Sequence, residues 1–231
     1  MTNNLLIKVC GMRRTDNIRA VAQLPIDMMG FIFCPSSKRY VGMTPSLSGT
    51  LPDTADTSIS SLPSSLGNHR ISKVGVFVDD TVQNIITRVV GFGLDAVQLH
   101  GSESPTFIRN LRSTVVPDIS PRLKVFKAIS MSSADDISRC AQYDGLVDLF
   151  VFDTKCAGHG GSGRQFDWEW LSRYGGSTPF LLSGGISAAD AERIKNFHHP
   201  MFAGIDINSR FETEPGVKDA ELISRFIGQL K

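Results

Sequence analysis

The sequence predicts an α/β protein, a single (β/α)8 TIM barrel over residues 1–231, on three observations. Eight short apolar runs rich in β-branched and aromatic residues recur along the chain. Most are followed by a segment whose apolar residues fall at helical spacing, so strand alternates with helix. The units repeat at roughly 29 residues, in keeping with barrels of about 250 residues. A doubly wound open sheet is the alternative, but evenly spaced units close more naturally than they stay open.

The first strand is the run at 5–11, closed by Gly11, and a helix-like segment follows at 17–24. Residues 27–33 repeat the strand signal and leave through the polar loop that holds Ser37, Lys38 and Arg39. From 42 to 69 the pattern degrades into Ser, Thr, Pro and Gly. An irregular connector is expected there, with a weak or irregular second helix near 54–61.

Order returns with strands at 73–79, 96–101, 123–129, 148–154, 180–185 and 203–209. Helices are expected at 82–91, at 104–111 opening on Ser104-Pro105, and from a Ser132 or Ser133 cap to about 143. Further helices are expected at 167–174, at 188–197, and at 218–230 with Leu222, Ile223, Phe226, Ile227 and Leu230 on one face.

Composition narrows the function classes. At 231 residues, 41% hydrophobic and 20% charged, the chain buries one substantial core. Lys plus Arg number 24 against 23 Asp plus Glu, so no net basic field recruits nucleic acid or an anionic membrane. Cys10, Cys34, Cys140 and Cys156 form no C-x-x-C pair and read as reduced thiols. No apolar stretch nears the roughly 18 residues of a membrane span, and no leader precedes the first strand, so a cytoplasmic protein is expected.

In a barrel of this type the catalytic groups stand at the carboxyl ends of the strands. Here those ends offer Cys10, Arg39, Asp79, His100, Asp153, Gly184 with Gly185, and Asp206 with Ser209. The set contains a thiol and a carboxylate able to exchange protons, and an arginine suited to a carboxylate or phosphate. Glycine-rich turns at the sixth and seventh ends, with the loops after strands seven and eight a common phosphate site, point to a phosphorylated small molecule.

Lys8-Val9-Cys10-Gly11-Met12, Ser37-Lys38-Arg39-Tyr40, Val97-Gln98-Leu99-His100-Gly101, Phe152-Asp153 with Gly160-Gly161-Ser162-Gly163, Ser183-Gly184-Gly185-Ile186, and Gly204-Ile205-Asp206 with Glu212 occur in one order along nearly the whole chain. That ordered set resembles the phosphoribosylanthranilate isomerase family of tryptophan biosynthesis. The resemblance implies a cofactor-free Amadori rearrangement of N-(5-phosphoribosyl)anthranilate, with Asp153 as general acid and Cys10 as general base. It also implies that Arg39 holds the anthranilate carboxylate and that Asp206 lies near the anthranilate. Gly184, Gly185 and Ser209 would cradle the phosphate, joined by Gly161 and Gly163. Family members occur as monomers and dimers, and the choice stays open here.

The chemistry sets conditions on both groups. An Asp near its unperturbed pKa of about 3.9 is ionised at neutral pH, so a general acid needs an upward shift. Cys10, starting from about 8.5, needs a downward shift or a sufficient minor thiolate fraction, helped by a cation such as Lys8. Where the family reads Ser-Ser-Gly-Val-Glu, this chain reads Asn208-Ser209-Arg210-Phe211-Glu212. A positive φ at Arg210 would strain the backbone.

Rival readings are weaker. A lone buried cysteine is more often a small hydrophobe than a catalyst, and Cys34, Cys140 and Cys156 keep that reading. His100, His159, His198 and His199 lack paired ligand spacing, so no metal is expected, and His100 reads as a hydrogen-bonding partner behind the reacting groups. An indole-glycerol-phosphate synthase would need a lysine and glutamate pair that Lys8 and Lys127 do not display in the expected motif. A phosphate-binding barrel without catalysis is opposed by the presence of both Cys10 and Asp153.

Overall fold

The computed structural model describes residues 5–46, 49–52, 70–154 and 165–230. Eight parallel strands close into a barrel: β1 (Leu6–Val9), β2 (Met28–Ile32), β5 (Ser72–Phe77), β6 (Ala96–Leu99), β7 (Lys124–Met131), β8 (Leu149–Thr154), β9 (Phe180–Leu182) and β10 (Phe202–Ile207). Each pairs with its sequence neighbour in that set, and β10 returns to β1. The predicted barrel is present, strand for strand.

Side-chain alternation decides what faces inward. Leu6, Met28, Val74, Ala96, Phe126, Ala128, Leu149, Val151, Leu181 and Ala203 pack together in the lumen. A larger shell, including Phe77, Phe150, Phe152, Trp168 and Phe226, fills the space between strands and helices. Stepping by two from the lumen residues leads directly to Lys8 and Cys10, to Gln98 and His100, and to Asp153. On β10 the step from Ala203 to Asp206 is odd, and the register shift between Phe202 and Gly204 reconciles it.

The outer layer holds α1 (Thr15–Val21), α2 (Val82–Phe92), α3 (Pro105–Val115), α4 (Ala191–Lys195) and α5 (Ala220–Leu230). Thr81 and Ser104 cap α2 and α3 by accepting the Asn84 and Phe107 N–H groups, and Gly93 ends α2 in the left-handed region.

Three expectations change. The helices foreseen after the fifth and sixth barrel strands are 3₁₀ segments, Ala134–Gln142 and Trp168–Arg173. Their serines back-bond to the chain, Ser138 to the Asp135 carbonyl and Ser172 to that of Glu169, which competes with α-helical pairing. Part of the irregular connector is ordered as an antiparallel hairpin of β3 (Met43–Ser46) and β4 (Gly49–Pro52), while the weak helix at 54–61 lies outside the described residues. Lys218 does not open the last helix but stands in β12 (Val217–Lys218), paired with β11 (Glu212–Glu214). Pro215-Gly216, with Gly216 at φ +88°, turns the chain between them.

Candidate active site

Cys10 prolongs β1, donating its N–H to the Ile207 carbonyl at 2.9 Å. Its thiol lies against Gly30 of β2, where an added Cβ would come within 2.6 Å of Sγ. Two residues earlier, Lys8 is wholly buried and its Nζ reaches Asp206 Oδ2 at 2.8 Å, across the register pair Lys8 and Asp206. Burial opposes the Lys8 charge, but Asp206 and Cys10 outweigh it and hold the ammonium above the ordinary lysine range.

Asp206 moves upward because of burial, offset only in part by Lys8 and reinforced by the negative charge of Asp153. Its Oδ1 is buried without a hydrogen-bond partner among the described residues. On the other side, Asp153 Oδ2 meets His100 Nε2 at 3.2 Å, and His100 Nδ1 meets the Gln98 amide at 3.2 Å. With that amide donating, Nε2 carries the imidazole proton on the side that faces Asp153. Cys10, Lys8, Asp206, Asp153 and His100 thus form one electrostatic chain across the barrel mouth.

A second cluster adjoins Cys10. Arg39 donates from Nε to Glu212 Oε1 at 2.8 Å and from Nη2 to Oε2 at 2.6 Å, a bidentate pair that raises the Arg39 pKa further. Lys218 Nζ donates to Glu212 Oε1 at 2.5 Å and to Asn208 Oδ1 at 2.8 Å. Burial pushes the Lys218 ammonium down to about 8 against the attraction of Glu212. Burial would raise Glu212, but Arg39 and Lys218 outweigh it and hold the carboxyl below its usual range.

Past β9, Gly184 and Gly185 both adopt positive φ, +81° and +74°. A side chain at Gly184 would collide with Thr154 and with Asp153 Oδ1, so the glycine is what lets this turn approach the acid. Ser209 opens the 3₁₀ turn Ser209–Phe211 just beyond β10.

Comparison with known proteins gives the family of the chain. Residues 50–229 match the family model described as N-(5'phosphoribosyl)anthranilate (PRA) isomerase. The chain belongs to the phosphoribosylanthranilate isomerase family. It catalyses the isomerisation of N-(5'-phosphoribosyl)anthranilate in tryptophan biosynthesis. The N-(5'-phosphoribosyl)anthranilate isomerase of Parabacteroides distasonis is 44% identical over 226 residues, covering 98% of this chain and 93% of that protein. That of Phocaeicola vulgatus is 42% identical, covering 98% of both. The crystal structure of the Thermotoga maritima isomerase superposes with a TM-score of 0.76 at 27% identity, covering 98% of each chain. A further isomerase, solved in complex with reduced 1-(o-carboxyphenylamino)-1-deoxyribulose 5-phosphate, gives 0.74 at 25% identity and the same coverage.

Within this isomerase, Cys10, Arg39, Asp153, Asp206, Gly184, Gly185 and Ser209 all stand at the carboxyl ends of barrel strands or in the loops just beyond them. Gly161 and Gly163, with Cys156 and His159, lie outside the described residues. Two expectations are corrected. Of the two conditions set for Cys10 the downward shift is not met, because burial outweighs the pull of Lys8 and Lys218 and moves the thiol up, which leaves the minor thiolate fraction. Lys127, read as lacking a glutamate partner in the synthase motif, meets buried Glu103 at 3.2 Å and also donates to the carbonyls of Leu99, Gly101 and Ala128. Those carbonyls bind the ammonium into the barrel wall.

Arg210 carries no positive φ, since Asp79 is the only non-glycine with one among the described residues. The Asp79 carboxylate accepts the Ser102 N–H and hydroxyl, a loop-bracing role. Sequence reasoning missed Gln98, Asn208 and Lys218. The Pro215-Gly216 turn was the available signal for Lys218, because it folds that residue back over Glu212.

Proposed function

We propose that in this isomerase Asp153 is the general acid and Cys10 the general base. Asp153 delivers a proton to the furanose ring oxygen as the C1′–O bond breaks, leaving an imine to the anthranilate nitrogen. Cys10, as thiolate, removes the proton on C2′, and the C–H electron pair flows into the imine to give the enamine that tautomerises to the ketose. The observation that carries this reading is the electrostatic chain from Cys10 through Lys8 and Asp206 to Asp153, which couples the two groups in one buried field.

Arg39 receives the anthranilate carboxylate through Nη1, the guanidinium nitrogen not engaged by Glu212. Gly184, Gly185 and Ser209 take the phosphate, with Gly161 and Gly163 completing the cradle. Asp206 lies beside the anthranilate. The free thiols of Cys10, Cys34 and Cys140 suit a reducing cytoplasm.

A fluorescence assay that follows loss of phosphoribosylanthranilate tests the roles. Cys10→Ala and Asp153→Asn are each expected to lower kcat by about 10²-fold to 10⁴-fold with the fold intact. Turnover retained in either variant removes that residue from its role.

A further inference from the structure

Lys218 is a buried charged residue at the mouth that the reaction roles leave unused. It is 2% exposed, and its Nζ is held by Glu212 and Asn208. A Cβ built on Gly11 would lie 3.3 Å from that Nζ and 2.6 Å from Arg39 Cδ, so both cationic side chains stand over the residue that follows Cys10.

The charged groups around Cys10 come from every neighbouring segment: Lys8 from β1, Arg39 from the loop after β2, Asp206 from β10, Glu212 from β11 and Lys218 from β12. Asp153 and His100 lie beyond Asp206. Asp206 matches Lys8, and Glu212 matches Arg39. Lys218 shares a carboxylate already taken, so while Cys10 is a thiol and Asp153 still holds the proton it delivers, these described residues hold three cations against two carboxylates.

We propose that Lys218 is a positioning residue for the isomerisation, its ammonium being the surplus buried cation that the Cys10 thiolate balances. The proposal rests on the reading of Cys10 as the base. An unmatched buried charge is costly, and loss of one proton from either Cys10 or Lys218 relieves it. Burial depresses Lys218 and raises Cys10, and against it Cys10 pulls Lys218 up while Lys218 pulls Cys10 down, each favouring the charged form of the other. Loss from Cys10 keeps the charge-assisted hydrogen bonds to Glu212 and Asn208, whereas loss from Lys218 weakens both. When the thiolate takes the C2′ proton, the surplus returns, which favours handing the proton on.

The experiment is the pH profile of kcat/KM together with a substrate-free titration of thiolate ultraviolet absorbance, each variant measured against its Cys10→Ala counterpart. Lys218→Met should move the acid limb and the thiolate titration up by about one unit or more, while Lys218→Arg keeps both near the parent. Glu212→Gln removes a carboxylate and should move both down. A raised KM with unmoved pH behaviour would assign the surplus cation to the substrate carboxylate and overturn the proposal. If Lys218→Met does not fold, Glu212→Gln decides, and no downward shift overturns it. Turnover in Cys10→Ala would instead overturn the base assignment, while the thiolate titration still tests the charge coupling.

Discussion

At the scale of single residues, the active site depends on an absence as much as on its charged groups. Gly30 has no side chain where Cys10 needs room, and a methyl there would come within 2.6 Å of Sγ and 3.0 Å of the Cys10 Cα. Because the second contact is to backbone, the clash cannot be relieved by rotating the thiol alone. Gly30→Ala is expected to lower kcat by about 100-fold, the effect of roughly 1 Å of misplacement, with a smaller change in KM. Steady-state kinetics check this, and an unaltered kcat would show that the thiol is not held against β2. The positions of Cys10 and Asp153 at the barrel mouth were legible in the sequence because each ends an apolar run within a specific motif. The direction of the Cys10 shift was not, since it depends on burial and on Lys218, 208 positions away in the chain. Arg39 was legible as a cation, but its bidentate partner Glu212 was only part of a motif until the fold brought the two together.

At the scale of elements, the barrel floor repeats one device. Asp27, Asp95 and Asp148 each stand one residue before a strand. Each gives its backbone N–H to the carbonyl of a residue on the preceding barrel strand, Ile7, Lys73 or Val125. Each also accepts the N–H of that same residue on its carboxylate, at 2.8, 2.9 and 2.8 Å. Asp148 further binds Arg112 of α3 and Lys124, so it ties helix to floor. Burial alone would raise its pKa, but the Val125 N–H, Arg112 and Lys124 outweigh it and hold the carboxyl below the usual range. A depressed carboxylate stabilises the fold above its unfolded pKa of about 3.9, and that contribution fades as pH falls through the lower folded value. Asp148→Asn is therefore expected to cost about 1–3 kcal/mol at neutral pH and much less in strong acid, with kcat unchanged. Urea melts at both pH values test this; an equal loss at both would remove the ionic contribution. Strand positions were legible because each is a local apolar run. The 3₁₀ segments were not, because helical spacing does not distinguish α from 3₁₀ when serines compete for the backbone.

At the scale of the whole molecule, the barrel exists only once its last strand meets its first. That seam joins residues about 200 positions apart, so its contacts form against the full loop-closure entropy of the chain. It also carries the site, because the Lys8–Asp206 pair and the Cys10 N–H bond to Ile207 both cross it. The number and order of strands were legible, whereas this dependence of the site on closure was not, since no local pattern records which strands meet. Gly204 makes the meeting close: paired with Leu6, it would place an added Cβ 2.0 Å from the Leu6 carbonyl oxygen. With neighbouring strands normally about 4.8 Å apart, that overlap has to be relieved by moving backbone. Gly204→Ala is expected to cost more than about 4 kcal/mol, the range of severe core disruption. Loss of turnover should precede global unfolding as urea is raised, because the seam parts before the strand pairs remote from it. Coincident loss of activity and structure would instead mean that the seam opens only with the whole barrel.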